Sequence, residues 1–250
     1  MGQLAAFDAT EWFLVFARVG AILMLVPAFG DESVSPRIRL ILALLISLTL
    51  QPIVAGHLLP GLEGDALALA LVREVAIGLA IGALVRILYL SLATAGAVIA
   101  IQAGFSMVTA FDPTMGGQTS TVTRLMSVGA LLFLFALNIH HLLIVGVVKS
   151  YSFITPEMTT AGRDLAEVAV KAVTWSFAVG LQIAAPFLVF GLVLNVGLGL
   201  AARLAPTIQV FFIAQPFMLL VGIALMLICL ASGLELWARL FGGTLRAAMG

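Results

Sequence analysis

Charge is what this chain has least of. Only 10% of its 250 residues are Asp, Glu, Lys or Arg, where about 25% is usual in a soluble domain. The charges cancel, twelve basic against twelve acidic, so the chain carries no basic footprint for nucleic acid. A lone cysteine, Cys229, excludes an intrachain disulfide. It lies in an apolar run and reads as a small packing residue. So few polar groups cannot cover a soluble sphere of this size, which excludes a soluble enzyme; a disordered chain is excluded because it would be polar. What is present instead is apolar. Hydrophobic residues make up 62%, and 24 glycines raise the share to roughly 72%, against about 45–50% in soluble domains. This is the composition of an all-α polytopic membrane protein.

A span needs about 20 apolar residues, because a helix rising 1.5 Å per residue must cross about 30 Å of hydrocarbon. Candidate runs are 12–29, 38–55, 66–85, 87–110, 125–148, 172–197 and 208–236. The third and fourth are interrupted only around Arg86. As one helix, 66–110 would reach about 68 Å, so it either folds back or projects beyond the bilayer. The expectation is six or seven helical segments in one integral membrane domain, 1–250. A membrane barrel would alternate polar and apolar residues, and Leu40–Leu50 and Val128–Leu137 do not. Asp8 and Glu11 stand where a signal peptide would be basic, so the first segment is expected to stay. With all seven runs crossing and the N-terminus outside, Arg37, Arg39, Arg86, Lys149, Arg163, Lys171, Arg239 and Arg246 fall on the cytoplasmic side. Arg18, Arg73, Arg124 and Arg203 fall outside. That bias favours an outside N-terminus and a cytoplasmic C-terminus.

Recognisable chemistry is also missing. Gly197-Leu-Gly199-Leu-Ala-Ala202 imitates a dinucleotide fingerprint but closes an apolar helix instead of following a strand. No lysine follows a glycine loop as in a nucleotide-binding site. His140 and His141 are adjacent, about 100° apart on a helix, and do not make a zinc motif. No Gly-x-Ser-x-Gly elbow exists, and Asp112 and Asp164 lie in loops, not paired at membrane depth. No catalytic group, metal or cofactor is expected.

The polar residues inside apolar runs carry more information, because charge at bilayer depth faces a bundle interior, a partner or water. They are Arg18, Glu74, Arg86, Gln102, Asn138, Gln182, Asn195, Gln215 and Glu235. Arg18 and Arg73 can be read as snorkelling to the interface. Glu74 and Arg86 require either each other, through a fold-back, or groups on a partner. Gly78 and Gly82 form a Gly-x-x-x-Gly pair, and Ala93, Gly96, Ala97, Ala100, Ala103 and Gly104 continue a small-residue theme. Such faces pack either within the chain or against another. Pro27, Pro186, Pro206 and Pro216 mark helix ends and kinks, or broken helices lining a cavity. The segment 111–124, with Asp112-Pro113 and Gly116-Gly117, is a turn-rich loop.

Several blocks, in order, resemble FliR, an integral membrane subunit family of the bacterial flagellar type III export gate, and its injectisome counterparts. They are Arg18, Pro27-Ala-Phe-Gly30 and Val34-Ser-Pro36-Arg-Ile-Arg39-Leu; Arg73-Glu74-Val-Ala-Ile-Gly78-Leu-Ala-Ile-Gly82; Ala95-Gly96, Gln102-Ala-Gly104-Phe105 and Asp112-Pro113; Leu132-Phe-Leu-Phe-Ala-Leu-Asn138-Ile-His140-His141; and Leu194-Asn195-Val-Gly197-Leu-Gly199-Leu-Ala-Ala-Arg203-Leu-Ala-Pro206, followed by Phe211 and Pro216. The family usually has Asn-Gly-His at Asn138-Ile139-His140, and Asn where Gln209 stands here.

The resemblance implies a non-enzymatic gate subunit of the inner membrane and flagellar basal body. It would join FliP-like and FliQ-like subunits in a helical assembly, with an FlhB-like protein near the cytoplasmic end. Unfolded exported polypeptides would pass through it, powered by the proton gradient and a separate ATPase. Much of such an assembly lies above the plane expected from hydropathy. A family loop plugs the lumen. By position it is Phe105 to about Gly117, with Phe105, Met107 and Phe111 as bulky stoppers beside Asp112, Pro113, Gly116 and Gly117. Glu74, Arg86, Gln102, Asn138, Asn195, Arg203, Pro206 and Pro216 are the candidate assembly positions. The alternatives to a flagellar gate are an injectisome gate subunit and a small-solute transporter or channel.

Overall fold

The computed structural model describes residues 8–31, 34–58, 61–105, 121–153, 161–206 and 209–248. Among them are eight α-helices and no strand: α1 (Ala9–Leu25), α2 (Pro36–Val54, continued by a 3₁₀ turn Ala55–His57), α3 (Gly64–Tyr89), α4 (Ser91–Gln102), α5 (Thr121–Ala136), α6 (Ile139–Phe153), α7 (Ala161–Leu204) and α8 (Val210–Ala248).

The helix ends follow local chemistry. Asp8 caps α1, its carboxylate accepting from the Thr10 N–H at 2.8 Å, with Glu11 in the positive first turn. Val26 is extended ahead of Pro27, which ends that helix. Ser35 occupies the cap position of α2 and Pro36 begins it, where the missing N–H has no partner to lose. Arg39 ties the incoming chain by donating to the carbonyls of Phe29 (2.7 Å) and Asp31 (3.1 Å). Pro206 likewise follows the end of α7. Pro186 and Pro216 lie inside helices that continue through them. The break in the apolar run 125–148 falls instead at Leu137–Asn138, where Asn138 adopts φ 56°. Asparagine tolerates that left-handed region better than most residues.

By length and composition, four stretches could cross a membrane: Pro36–His57, Gly64–Gln102, Ala166–Leu204 and Phe212–Ala247. The pair Thr121–Ala136 and Ile139–Ser152, bent at the Asn138 break, makes a possible fifth. One open alternative closes and one expectation changes. The run around Arg86 does not fold back: Leu90 alone separates α3 from α4, and the two form one 39-residue apolar stretch. The charge tally that assumed seven crossings also loses its premise. α1, at 17 residues, falls short of the four that qualify.

The chain divides into two compact units. The first contains residues 1–88, 138–173 and 244–250, and the second contains 89–137 and 174–243. In the first, α1 packs along α2, with Leu14, Val15, Val19 and Ile22 of α1 and Ala43, Leu50 and Val54 of α2 all buried. α3 joins them through its glycines. A Cβ on Gly78 would lie 2.5 Å from the Arg18 carbonyl oxygen and 2.7 Å from Ala21 Cβ, and one on Gly82 would lie 2.9 Å from Leu25 Cβ. The Gly-x-x-x-Gly pair therefore packs within the chain, against α1. Gly78→Leu is expected to push α1 and α3 apart at a cost of about 1–3 kcal/mol or more, read as a lower midpoint of thermal unfolding. An unchanged midpoint would mean that the close approach does not exist.

The second unit is built on α4 against α5. Leu92, Ala95, Gly96, Ile99 and Ala100 recur at helical spacing on α4, as do Val122, Met126, Ala130 and Leu134 on α5. Gly96 lets the backbones touch, since a Cβ there would sit 2.6 Å from Thr123 Cα. Phe187 of α7 and Trp237 and Phe241 of α8 complete the buried set. The Trp237 ring N–H donates to Ser91 Oγ at 3.0 Å, and the ring stacks on Phe241 and makes a T-shaped contact with Tyr89.

Candidate functional site

Three places hold the polar residues that the sequence singles out. The first is a buried ion pair in the first unit. Arg18 on α1 is 2% exposed. Its guanidinium grips Glu74 of α3 in a fork, Nε to Oε2 at 2.5 Å and the second nitrogen to Oε1 at 2.9 Å. It also donates to Ser150 Oγ at 3.0 Å and lies 3.8 Å from the Tyr151 ring centre, both on α6. The two-point geometry and the extra donors are what a charge pair needs to survive desolvation. The snorkelling reading of Arg18 is therefore wrong: its head points into the protein. Glu74 needs neither Arg86 nor another subunit, because its partner is Arg18. Nothing in sequence spacing linked them, since 56 positions separate them. Ser150 and Tyr151 also went unnoticed, as ordinary residues at the end of an apolar run. Arg86 is half-buried and donates to the carbonyl of Leu25 at 3.5 Å, placing its charge on the negative end of α1.

The second place is the C-terminal end of α4, in the second unit. Gly104 takes φ 80°. Its N–H donates to the Ile101 carbonyl at 3.2 Å, and the Phe105 N–H reaches back to the Ala100 carbonyl at 2.9 Å. These bonds make a Schellman cap, in which the left-handed residue is favourable only as glycine. Gln215 of α8 donates to the Gly104 carbonyl at 3.1 Å. Gln102 fills the space over Gly191 of α7, where a Cβ would lie 2.8–3.0 Å from its amide atoms. A Cβ on Gly222 of α8 would lie 2.6 Å from Ala103 Cβ. Phe105 is half-buried at the end of this cap. Met107, Phe111, Asp112, Pro113, Gly116 and Gly117 lie outside the described residues.

The third place is the end of α7. Asn195, Gly197, Gly199 and Arg203 are exposed there, as is Pro206 just beyond. A Cβ on Gly197 or Gly199 would meet nothing within 4 Å. Asn138, Gln182 and Pro216 are exposed as well. Glu235 pairs on the surface with Arg239, one helical turn away. The structure thus brings Glu74 together with Arg18 and sets Gln102 and Gln215 at one end of α4. Asn138, Asn195, Arg203, Pro206 and Pro216 remain uncovered by the described residues. The rings of His140 and His141 lie 4.2 Å apart, closer than helical spacing alone suggests. Among the described residues no three His, Cys, Asp or Glu side chains converge as metal ligands.

The family model of bacterial export proteins, family 1, matches residues 9–244. The flagellar biosynthetic protein FliR of Caulobacter vibrioides is 38% identical over 238 residues, covering 93% of each chain. FliR of Escherichia coli K12 is 32% identical over 215 residues, 86% of this chain and 82% of that one. FliR of Bacillus subtilis 168 is 26% identical over 224 residues, 88% and 86% of the two chains. The family-model match runs from α1 into α8 and contains all three places described above. The chain therefore belongs to family 1 of the bacterial export proteins, and within it to the FliR subunits of the flagellar type III export gate.

Proposed function

We propose that this chain forms part of the passage through which unfolded flagellar proteins cross the inner membrane, and that it catalyses no reaction. FliP-like and FliQ-like subunits pack against it, and an FlhB-like protein associates near its cytoplasmic end. All 250 residues work as one membrane domain within that assembly. The observation that carries the reading is the uncovered end of α7. There Asn195, Gly199 and Arg203 recur at four-residue spacing along one side of the helix, all exposed, and a Cβ on Gly199 would meet no described residue within 4 Å. Polar and small residues on an apolar helix join helices to one another. Asn138, Pro206 and Pro216 are interface positions for the same reason, whereas Glu74 and Arg86 stabilise the subunit internally.

The stretch Phe105 to about Gly117 closes the passage. Apolar bulk from Phe105, Met107 and Phe111 would exclude water and ions by dewetting. The test is co-expression with FliP-like and FliQ-like partners, scoring co-purification and leakage of small metabolites from cells. The wild-type chain should be unstable alone and recovered with its partners. The Phe105→Ala/Met107→Ala variant should co-purify normally yet leak. A monodisperse, fully stable lone chain sinks the assembly reading. A variant complex as tight as wild type sinks the plug, and one that falls apart assigns those residues to the core.

Counting the bent pair as one span gives five, an odd number, which places the termini on opposite sides of the membrane. They also put Arg73, Lys149, Arg163, Lys171, Arg239 and Arg246 on one side and Arg18, Arg37, Arg39, Arg124 and Arg203 on the other. The Lys and Arg residues of the 149–171 connection and of the C-terminal end, on the same side, support a cytoplasmic C-terminus and an outside N-terminus, since the rule counts basic residues and not net charge. A reporter active only in the cytoplasm, fused after Gly250, should be active. An inactive fusion in a functional protein reverses the orientation.

A further inference from the structure

The exposed apolar faces of this chain are not alike, and that of α2 stands apart. Ile38, Ile41, Leu45 and Leu48 recur there at three- and four-residue spacing, each at least half exposed, and Pro52 and Ile53 continue the row. Beyond Leu40 the helix has three polar side chains, Ser47, Thr49 and Gln51, and each is satisfied from within the chain. Ser47 is buried and donates to the Leu44 carbonyl at 2.9 Å. Thr49 is exposed, but its hydroxyl donates one turn back to the Leu45 carbonyl at 2.9 Å. Gln51 is buried and donates to the Glu11 carboxylate of α1 at 3.3 Å. Pro52 leaves the Leu48 carbonyl without its helical donor, and an under-satisfied acceptor is tolerated better than an orphaned N–H. The outward residues of α7 are different. They include Gln182, Asn195 and Arg203, polar groups that hydrocarbon would leave unanswered. Length separates α2 as well. Pro36–His57 has 22 residues, about 33 Å at 1.5 Å each, close to the roughly 30 Å of hydrocarbon. The other three unbent stretches have 36 or 39. The ends of α2 are polar. Arg37 is exposed in a first turn that holds no acidic residue, and His57 is exposed at the other end.

We propose that the Ile38–Ile53 face of α2 lies against the acyl chains of the bilayer in the assembled gate, with Arg37 at the lipid phosphates. The N-terminal end of a helix is positive, so that end and the Arg37 guanidinium complement the phosphate layer together. Hydrocarbon can wet the face between Leu40 and Ile53 because no side-chain donor there is left without an acceptor. Another helix would find little to hold. Helices join in lipid through small residues and interhelical hydrogen bonds. α2 has no glycine, and its one alanine, Ala43, is buried against the chain's own core. This placement holds whichever subunits bind the end of α7.

The experiment uses the full chain in its complex, in cells. The photoreactive residue p-benzoylphenylalanine replaces Ile38, Leu45 or Leu48 of α2, one at a time. A fourth variant carries it at Leu192 of α7, exposed on the same side of that helix as Gly199. Co-purification with partner subunits is scored first, and Leu45 and Leu48 stand in for one another if either variant fails to assemble. After irradiation, the chain with the probe at Leu45 or Leu48 should gain the mass of a phospholipid and form no adduct with another protein. The probe at Leu192 should join a partner subunit instead. Fragmentation of the lipid adducts reads depth. The probe at Ile38 should attach near the glycerol, and the one at Leu45, seven residues and about 10 Å deeper, toward the chain ends. Protein-sized adducts at Leu45 and Leu48 overturn the proposal, because a neighbour then covers the face. No adduct at either position, while Leu192 reacts, places the face in water and overturns it equally. The same attachment depth from Ile38 and Leu45 overturns the placement of Arg37 at the phosphates. Lipid adducts at Leu192 as well as at Leu45 uphold the α2 face and sink the interface reading of α7 instead.

Discussion

Replacing Arg18 by alanine is expected to destabilise the protein by about 3–5 kcal/mol, the usual cost of removing one member of a buried ion pair. Most of that is not the lost attraction. It is the Glu74 carboxylate left in an apolar interior with its two Arg18 donors gone. Ser150 keeps a partner, because its hydroxyl also donates to the Val147 carbonyl at 2.6 Å. The damage should therefore concentrate on α1 and α3. Glu74→Gln should be milder, because an uncharged amide can still accept from Arg18. Replacing both residues with apolar ones of similar volume, Arg18→Met with Glu74→Leu, should recover most of the loss, since no charge is left unpaired. Thermal unfolding of the purified assembly and the steady-state amount in cells measure this. Wild-type stability in Arg18→Ala would show that the carboxylate is solvated, and the buried pair would have to be abandoned.

A loss of about 3–5 kcal/mol is also expected for Trp237→Ala, the range for emptying a fully buried aromatic site. Trp237 is 0% exposed and is among the largest fully buried side chains in the protein. Its removal breaks the stack on Phe241 and the edge contact to Tyr89, and takes a donor from Ser91. Trp237→Phe keeps the aromatic contacts and loses the hydrogen bond, so it should cost roughly 1 kcal/mol plus a smaller cavity term. The ordering wild type, Phe, Ala in unfolding temperature is the result to look for. Equal stability of the Phe and Ala variants would mean that stacking contributes nothing and that the ring N–H alone fixes this core.

Residues differ in how legible they were from sequence, and the difference has physical causes. Composition and run length revealed the helices, because only helices or a closed barrel satisfy a backbone in lipid and the apolar runs do not alternate as barrel strands would. The small-residue face at Gly78 and Gly82 was visible because its spacing is local. Its target on α1 was not visible, because helix pairing depends on tertiary packing. The same limit hid the Arg18–Glu74 pair, which no periodicity joins. Arg18 invited a snorkelling explanation that holds only when a helix end faces the interface. The break at Asn138 was obscured by an expectation that prolines interrupt helices, whereas Pro186 and Pro216 leave their helices continuous. At the α4 end, Gly104 was visible as part of the small-residue theme, and Phe105 only through the family resemblance. The Schellman cap supplies the physical reason for the glycine; Gln215 stood out as a polar residue in an apolar run, but no local pattern could announce its contact with Gly104.

The apolar stretches Gly64–Gln102 and Ala166–Leu204 are 39 residues each. At 1.5 Å per residue each reaches about 58 Å, nearly twice the hydrocarbon they could occupy. Tilt absorbs only part of such a mismatch. Much of each helix must therefore stand in an aqueous compartment with apolar sides, and exposed patches of that kind drive aggregation unless protein covers them. The hazard is one of timing. From the moment the chain is inserted until its neighbours arrive, the overhanging turns are open to proteases and to contacts with unrelated chains. The lifetime of a newly made molecule should then depend on how soon partner subunits are synthesised, and a cell that makes this subunit in excess should degrade the surplus.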